Sequence, residues 1–211
     1  NASRYVLEIY EAVASSLSEK EKKAFTVLVL PRLREKPQID DFEYSQKDKE
    51  TDKLKLANRI NQIRHEKTQS VETKINYIRI KIFEVLLAEI MQKNWFVGSF
   101  LTDTSAFDDW VNGVDAVLEF RGLRGGLDFT SSRSKQDVRE KIDRIANNIE
   151  RSGTLGKLKY FRSQEDEKRG SFNMLPHVIV GLSAETLQEL VGLYLAGKKD
   201  EIANHWTRYA I

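Results

Sequence analysis

Asn112-Gly113-Val114-Asp115-Ala116-Val117-Leu118-Glu119-Phe120, then Arg121-Gly122-Leu123-Arg124-Gly125-Gly126, then Leu127-Asp128-Phe129-Thr130-Ser131-Ser132, is the stretch whose reading decides the fold. Val114 to Phe120 alternates with a period of two. That predicts a strand with Asp115, Val117 and Glu119 on one face and Ala116, Leu118 and Phe120 on the other. Leu127 to Thr130 alternates too, with Leu127 and Phe129 opposite to Asp128 and Thr130. A two-residue turn at Arg121-Gly122 sets Phe120 across from Leu123, Glu119 across from Arg124 and Asp115 across from Asp128. This register pairs opposite charges and keeps apolar residues together, which favours it. A looser loop closing at Phe120 and Leu127 keeps the faces but slides the two aspartates apart. In the tight register the aspartate Cβ atoms lie roughly 5 Å apart. Carboxylates so spaced can share one divalent cation at roughly 2.1 Å from each oxygen. The structural alternative is two aspartates on a solvated sheet face.

Gly113-Val114-Asp115, an apolar strand, a glycine-containing turn and Leu127-Asp128-Phe129-Thr130-Ser131-Ser132 together resemble the core of PD-(D/E)xK nucleases, nearest to the exonuclease and Holliday-junction resolvase branches. The likeness extends to Phe83-Glu84-Val85-Leu86-Leu87, on the helix before the strands, where the family often carries a glutamate. Asp108 to Asp115 and the late Pro176 to Gly181 strand resemble an uncharacterised bacterial group of this fold. The likeness covers about residues 75 to 211. It implies a restriction-endonuclease-like core in which Asp115 and Asp128 hold Mg²⁺ or Mn²⁺, with the Phe129 carbonyl as a third ligand and Glu84 assisting. The implied substrate is DNA or RNA.

One position departs from that pattern. The family carries a lysine two positions after the second acid, where this chain has Thr130. A lysine offsets charge on the phosphoryl transition state; a hydroxyl carries none. Some members supply the lysine from elsewhere, and Lys135, Lys141, Lys157 and Lys159 are the candidates, each equally readable as a solvated surface charge. Arg133, Lys135 and Arg139 are candidates for phosphate contacts. A nuclease fold that has lost its activity, and binds nucleic acid or a protein partner, is the alternative.

Composition sets the outer bounds. The chain has 211 residues, enough for one domain with a sizeable core, and no cysteine, which excludes disulfides and thiolate zinc sites. His65, His177 and His205 are scattered, which gives a histidine metal cluster little support. The net charge of +2 does not by itself point to nucleic acid. No run is long and apolar enough to span a membrane, and a cytoplasmic location is expected.

Residues 1–70 read as a helical extension and 71–211 as the core. Ser3 to Ser16 predicts a helix buried along Tyr5, Ile9, Ala12 and Val13. Ser18-Glu19-Lys20-Glu21 has capping-box spacing. Phe25 to Leu30 suits a helix or a strand, Lys36 to Glu50 a loop, and Thr51 to Lys67 a helix buried along Leu54, Ala57, Ile60 and Ile63. These helices are expected to brace the core, with a homo-oligomer interface as the alternative. Val71 to Lys93 predicts the longest helix, apolar on most sides, with Glu84 either facing a metal or paired to Lys81 or Arg79 and Glu89 on an exposed edge near Lys93. Ser134 to Ser152 predicts a charged helix buried along Val138, Ile142, Ile145 and Ile149. Lys157 to Phe161 and Val178 to Leu182 predict strands, the stretch through Gly170 a charged loop, and Ser183 the cap of a helix. Strands separated by helices imply an α/β fold, or α+β, with a mixed central sheet flanked by helices.

Overall fold

The computed structural model describes residues 2–67, 70–130 and 156–209, with positions 139, 142, 143, 145–147 and 150. Helices α1 (Ala2–Val13), α2 (Glu19–Ala24), α3 (Leu30–Glu35), α4 (Gln46–Lys67) and α5 (Val71–Ile90) precede the strands. Strands β1 (Phe100–Asp103), β2 (Ala116–Phe120), β3 (Leu123–Thr130), β4 (Gly156–Arg162), β5 (Arg169–Leu175) and β6 (His177–Gly181) follow. Helices α6 (Ala184–Leu195) and α7 (Lys199–Ala203) come last. The central sheet has the order β1-β2-β3-β6, antiparallel except for the parallel β3–β6 pair, and β4 and β5 form a separate antiparallel pair. This is an α/β fold with a mixed sheet flanked by helices.

The hairpin takes the tight register, with Phe120 paired to Leu123, Glu119 to Arg124 and Ala116 to Leu127. Arg121 (φ 51°) and Gly122 (φ 79°) both take positive φ, as a type I′ turn requires. Such a turn matches the strand twist but penalises a side chain other than Asn or Asp at its first position. Arg121→Asn should therefore stabilise the protein by roughly 0.5–1 kcal/mol, read as a rise in the urea midpoint at unchanged slope. Behind the turn, Glu119 is fully buried and takes the Arg124 guanidinium at 3.1 Å, the Gln164 N–H at 3.0 Å, and the hydroxyls of Thr102 and Ser163. Four donors on one carboxylate satisfy its charge in the interior.

Two hydrophobic clusters lie on opposite faces of the sheet. One joins Ala116, Leu127, Phe129 and Val180 to α1, α2, α5 and α6. The other joins Val114 and Val117 to Leu158, Phe161 and Leu175 of the β4–β5 pair. Phe83 of α5 meets Phe129 edge to face at 6.1 Å, fixing the helix across β3. The N-terminal helices bury Tyr5, Val6, Ile9, Val13, Phe25 and Leu28 in the first cluster, so their apolar stripes are consumed within the chain's own core. None of the described helices is long and apolar enough to cross a membrane.

The structure departs from the expected elements at several places. Phe25–Val29 forms a π-helical turn inside a helical run that continues from α2 into α3, and Pro31 follows directly after that turn. Helix α4 begins at Gln46, within the expected loop, and turns Leu54 and Ala57 outward. Its inward residues are Asp52 and Ile60, because the Asp52 carboxylate accepts from the Tyr160 hydroxyl at 2.8 Å and from Lys159. Ala12 on α1 is exposed, Ala2 and Val6 taking the inward side instead. Strand β1 was not expected, and β5 starts at Arg169 inside the expected charged loop. Ile142 is 52 % exposed rather than buried. Ser134, Val138 and Ile149 of that expected helix lie outside the described residues.

Candidate functional site

Asp115 sits one residue before β2, at the point where the hairpin ladder changes. Its N–H donates to the Leu127 carbonyl at 2.9 Å, and its Oδ2 accepts the Phe129 N–H at 2.7 Å. The Thr104 hydroxyl holds the carbonyls of Val114 (2.6 Å) and Asp115 (3.1 Å) from the other side. A carboxylate replaces a backbone acceptor, the regular pairing stops at Ala116, and the side chain leaves the Val117–Glu119 face. Asp115 lines a cleft with Ala116, Phe129, Lys81 and Glu84, on the helical side of the sheet. This corrects the face expected for it from alternation alone.

The preceding segment supplies a second carboxylate. Asp108–Asn112 forms a π-helical turn that ends on Gly113 at φ 73°, a left-handed position suited to glycine. Asp108 is fully buried and accepts from the Ser105 hydroxyl (2.9 Å), the Asn112 amide (2.6 Å) and the N–H groups of Lys159 (2.7 Å) and Tyr160 (2.8 Å). It fastens the turn to β4. Its neighbour Asp109 lines the cleft with 8 % of its side chain exposed. π-Helical turns recur at functional sites because they re-aim side chains.

Two lysines meet these acids. Lys81 of α5, 12 % exposed, donates to Glu84 at 2.6 Å and lies 3.7 Å from Asp109. Lys36, just past α3, donates to Asp109 at 2.6 Å. Burial alone would lower the Lys81 pKa, but Asp109 and then Glu84 hold it well above the ordinary lysine value. Burial likewise opposes the charge on Asp109, and Lys36 and Lys81 overcome it, keeping that carboxyl below its usual range. Burial raises Glu84 despite Lys81. Burial, then Glu84 and Asp109, push Asp115 well above the carboxylate range. One α5 turn before Lys81, the buried Tyr77 hydroxyl has no hydrogen-bond partner among the described residues, and Lys81 Nζ lies 6.0 Å from its ring.

The cleft thus brings together Asp115 and Glu84, as the sequence suggested, with Asp109, Lys36 and Lys81, which it did not single out as site residues. The i, i+3 spacing of Lys81 and Glu84 was the available signal for one of these. Asp128 is buried on β3, on the other side of the strand from Phe129, and adds a lesser repulsion to Asp115 after Glu84 and Asp109. Thr130 is buried at the end of β3, paired to Gly181, and does not line the cleft. Lys159 is committed to Asp52, Lys157 is exposed on β4, and Arg139 is exposed. Arg133, Lys135 and Lys141 lie outside the described residues. Glu89, expected on an exposed edge, is only 14 % exposed, because Arg32 reaches it at 2.6 Å alongside Lys93.

The donor chemistry fits a hard divalent cation. Asp115, Glu84 and Asp109 offer carboxylate oxygens only, and burial, then Glu84 and Asp109, disfavour the Asp115 charge that a cation would favour. Among the described residues no three such groups already converge as a metal cage. Mg²⁺ does not need one, since it is commonly held by one or two carboxylates with water and substrate phosphate. Comparison with protein-family models, with curated proteins and with solved structures finds no match to this chain.

Proposed function

We propose that this cleft is a divalent-metal site for hydrolysing nucleic-acid phosphodiesters, in a protein of the PD-(D/E)xK type whose lysine comes from α5 rather than from β3. One observation carries the reading: a largely buried Lys81 stands beside Glu84 and Asp109 in the cleft that Asp115 lines. It supplies the cation that Thr130 lacks. The order of parts also supports the relationship: a helix bearing Glu84, then the tight hairpin, then the Pro176–Gly181 strand set parallel beside β3.

Bound Mg²⁺ or Mn²⁺ would polarise the phosphate and lower the pKa of the attacking water. Asp115 would hold the ion through its carboxylate, with Glu84 beside it. Lys81, pinned by Glu84 and Asp109, would offset charge on the phosphoryl oxygens at no cost of reorganisation. Asp109 keeps Lys81 charged. Asp128 contributes its field from the adjacent strand. Arg139 is available to the nucleic-acid backbone from the exposed surface.

The test is cleavage of end-labelled single- and double-stranded DNA and RNA with Mn²⁺. Wild type and Thr130→Ala should cleave equally, since Thr130 is outside the cleft, and Asp115→Ala should not cleave. No cleavage by wild type, together with thermal stability indifferent to Mn²⁺, overturns the enzyme. A second reading is an inactive module that binds nucleic acid or a protein. Its support is that Lys36 and Lys81 already pair with Asp109 and Glu84 inside the cleft. Binding without cleavage, weakening steeply with salt, would favour it.

A further inference from the structure

The roof of the cleft is built differently from its floor. The floor is α5 and β3, anchored by Ile78, Ile82, Phe83, Leu86 and Phe129 in the main core. The roof is the segment 30–38, which contributes Arg32, Leu33 and Lys36 to the lining. None of its residues is buried, although Val29 before it and Ile39 after it both are. Leu30 and Leu33 are only partly buried against the core. Across the cleft the segment is tied down by charge. Arg32 reaches Asp103 at 2.8 Å and Glu89 at 2.6 Å, and Lys36 reaches Asp109 at 2.6 Å. One further tie, from the Ser3 hydroxyl to the Leu33 carbonyl at 3.0 Å, links it to α1.

We propose that residues 30–38 form an ion-latched lid over the carboxylate cleft, in which the Lys36 ammonium holds the place a divalent cation takes when the site is loaded. The inference rests on the metal reading of the cleft and adds its control. A segment fixed at both ends by buried residues, and closed between them by ion pairs with little apolar burial, opens locally without unfolding the domain. Loading the cleft moves Lys36 off Asp109, because a cation and an ammonium compete for the same oxygens. Withdrawal of Lys36 frees the roof over the cleft.

The lid and the metal site are separable by two readouts on the full chain. Hydrogen exchange tests the latch without metal. Lys36→Met and Arg32→Gln should each speed exchange of amides 32–36 by about tenfold, the loss of one charge-assisted bond, while α5 stays protected. Mn²⁺ titration by calorimetry tests the competition. Lys36→Met should bind Mn²⁺ about tenfold more tightly than wild type. Unchanged exchange in both variants overturns the lid, and so does equal Mn²⁺ affinity in wild type and Lys36→Met. Accelerated exchange with no Mn²⁺ bound by any form keeps the latch and removes the metal reading beneath it.

Discussion

Lys81→Met is expected to abolish metal-dependent cleavage and to lower stability by about 3 kcal/mol, the scale seen when one partner of a buried ion pair is deleted. Methionine keeps the length and apolar stem of the side chain and removes the ammonium. Glu84 then loses its 2.6 Å donor, and Asp109 keeps only Lys36. Both carboxylates are largely buried, so the penalty is that of unpaired charge rather than of a lost contact. Urea unfolding gives the stability, and labelled-substrate cleavage gives the activity. The double variant Lys81→Met/Glu84→Gln separates the two roles. It should recover much of the stability, because the orphaned charge at Glu84 is gone, yet remain inactive. Cleavage restored in the double variant would show that Lys81 acts only by holding Glu84.

Asp115→Asn should remove cleavage while leaving the metal-free fold at least as stable as wild type. Asparagine can still accept the Phe129 N–H, so the local geometry persists. The sign of the pH effect follows from the raised Asp115 pKa. A carboxyl that titrates higher folded than unfolded binds more protons in the native state across that window. Its stabilising contribution is complete below the unfolded carboxylate range and is lost as pH rises through the raised folded value. Wild-type stability should therefore decline with rising pH from the ordinary carboxylate range upward, and Asp115→Asn should decline less. Glu84, also raised, contributes the same sign and leaves a residual slope in the variant. Identical pH profiles for the two proteins would place Asp115 outside the buried cluster.

The hairpin was legible because opposite charges, apolar matching and a two-residue turn all favoured one register, and Glu119 does meet Arg124. Glu84 was legible for the physical reason that a carboxyl on a helix apolar on most sides needs a partner. The face of Asp115 was not. Period-two alternation assumes an unbroken ladder, and here a side-chain carboxylate takes the Phe129 N–H that a backbone carbonyl would otherwise receive. Asp109 was hidden for a related reason: a π-helical turn sends two consecutive aspartates to different tasks, one to β4 and one to the cleft. Lys36 lies far from the hairpin in sequence, in a stretch that reads as a solvated loop, and only tertiary packing brings it to Asp109. The inward face of α4 escaped because Asp52, a charged residue, is what turns toward the core.

The central claim is that Asp115 holds a divalent cation in this cleft, and Mn²⁺ calorimetry in two buffers of different ionisation enthalpy tests it most directly. Ligands that must deprotonate release protons on binding metal. Because burial, Glu84 and Asp109 raise the Asp115 carboxyl, wild type should release protons on binding Mn²⁺, with affinity rising as pH rises, and Asp115→Asn should lose that release together with most of the affinity. Mn²⁺ binding without proton release, or equal binding by Asp115→Asn, would contradict the account.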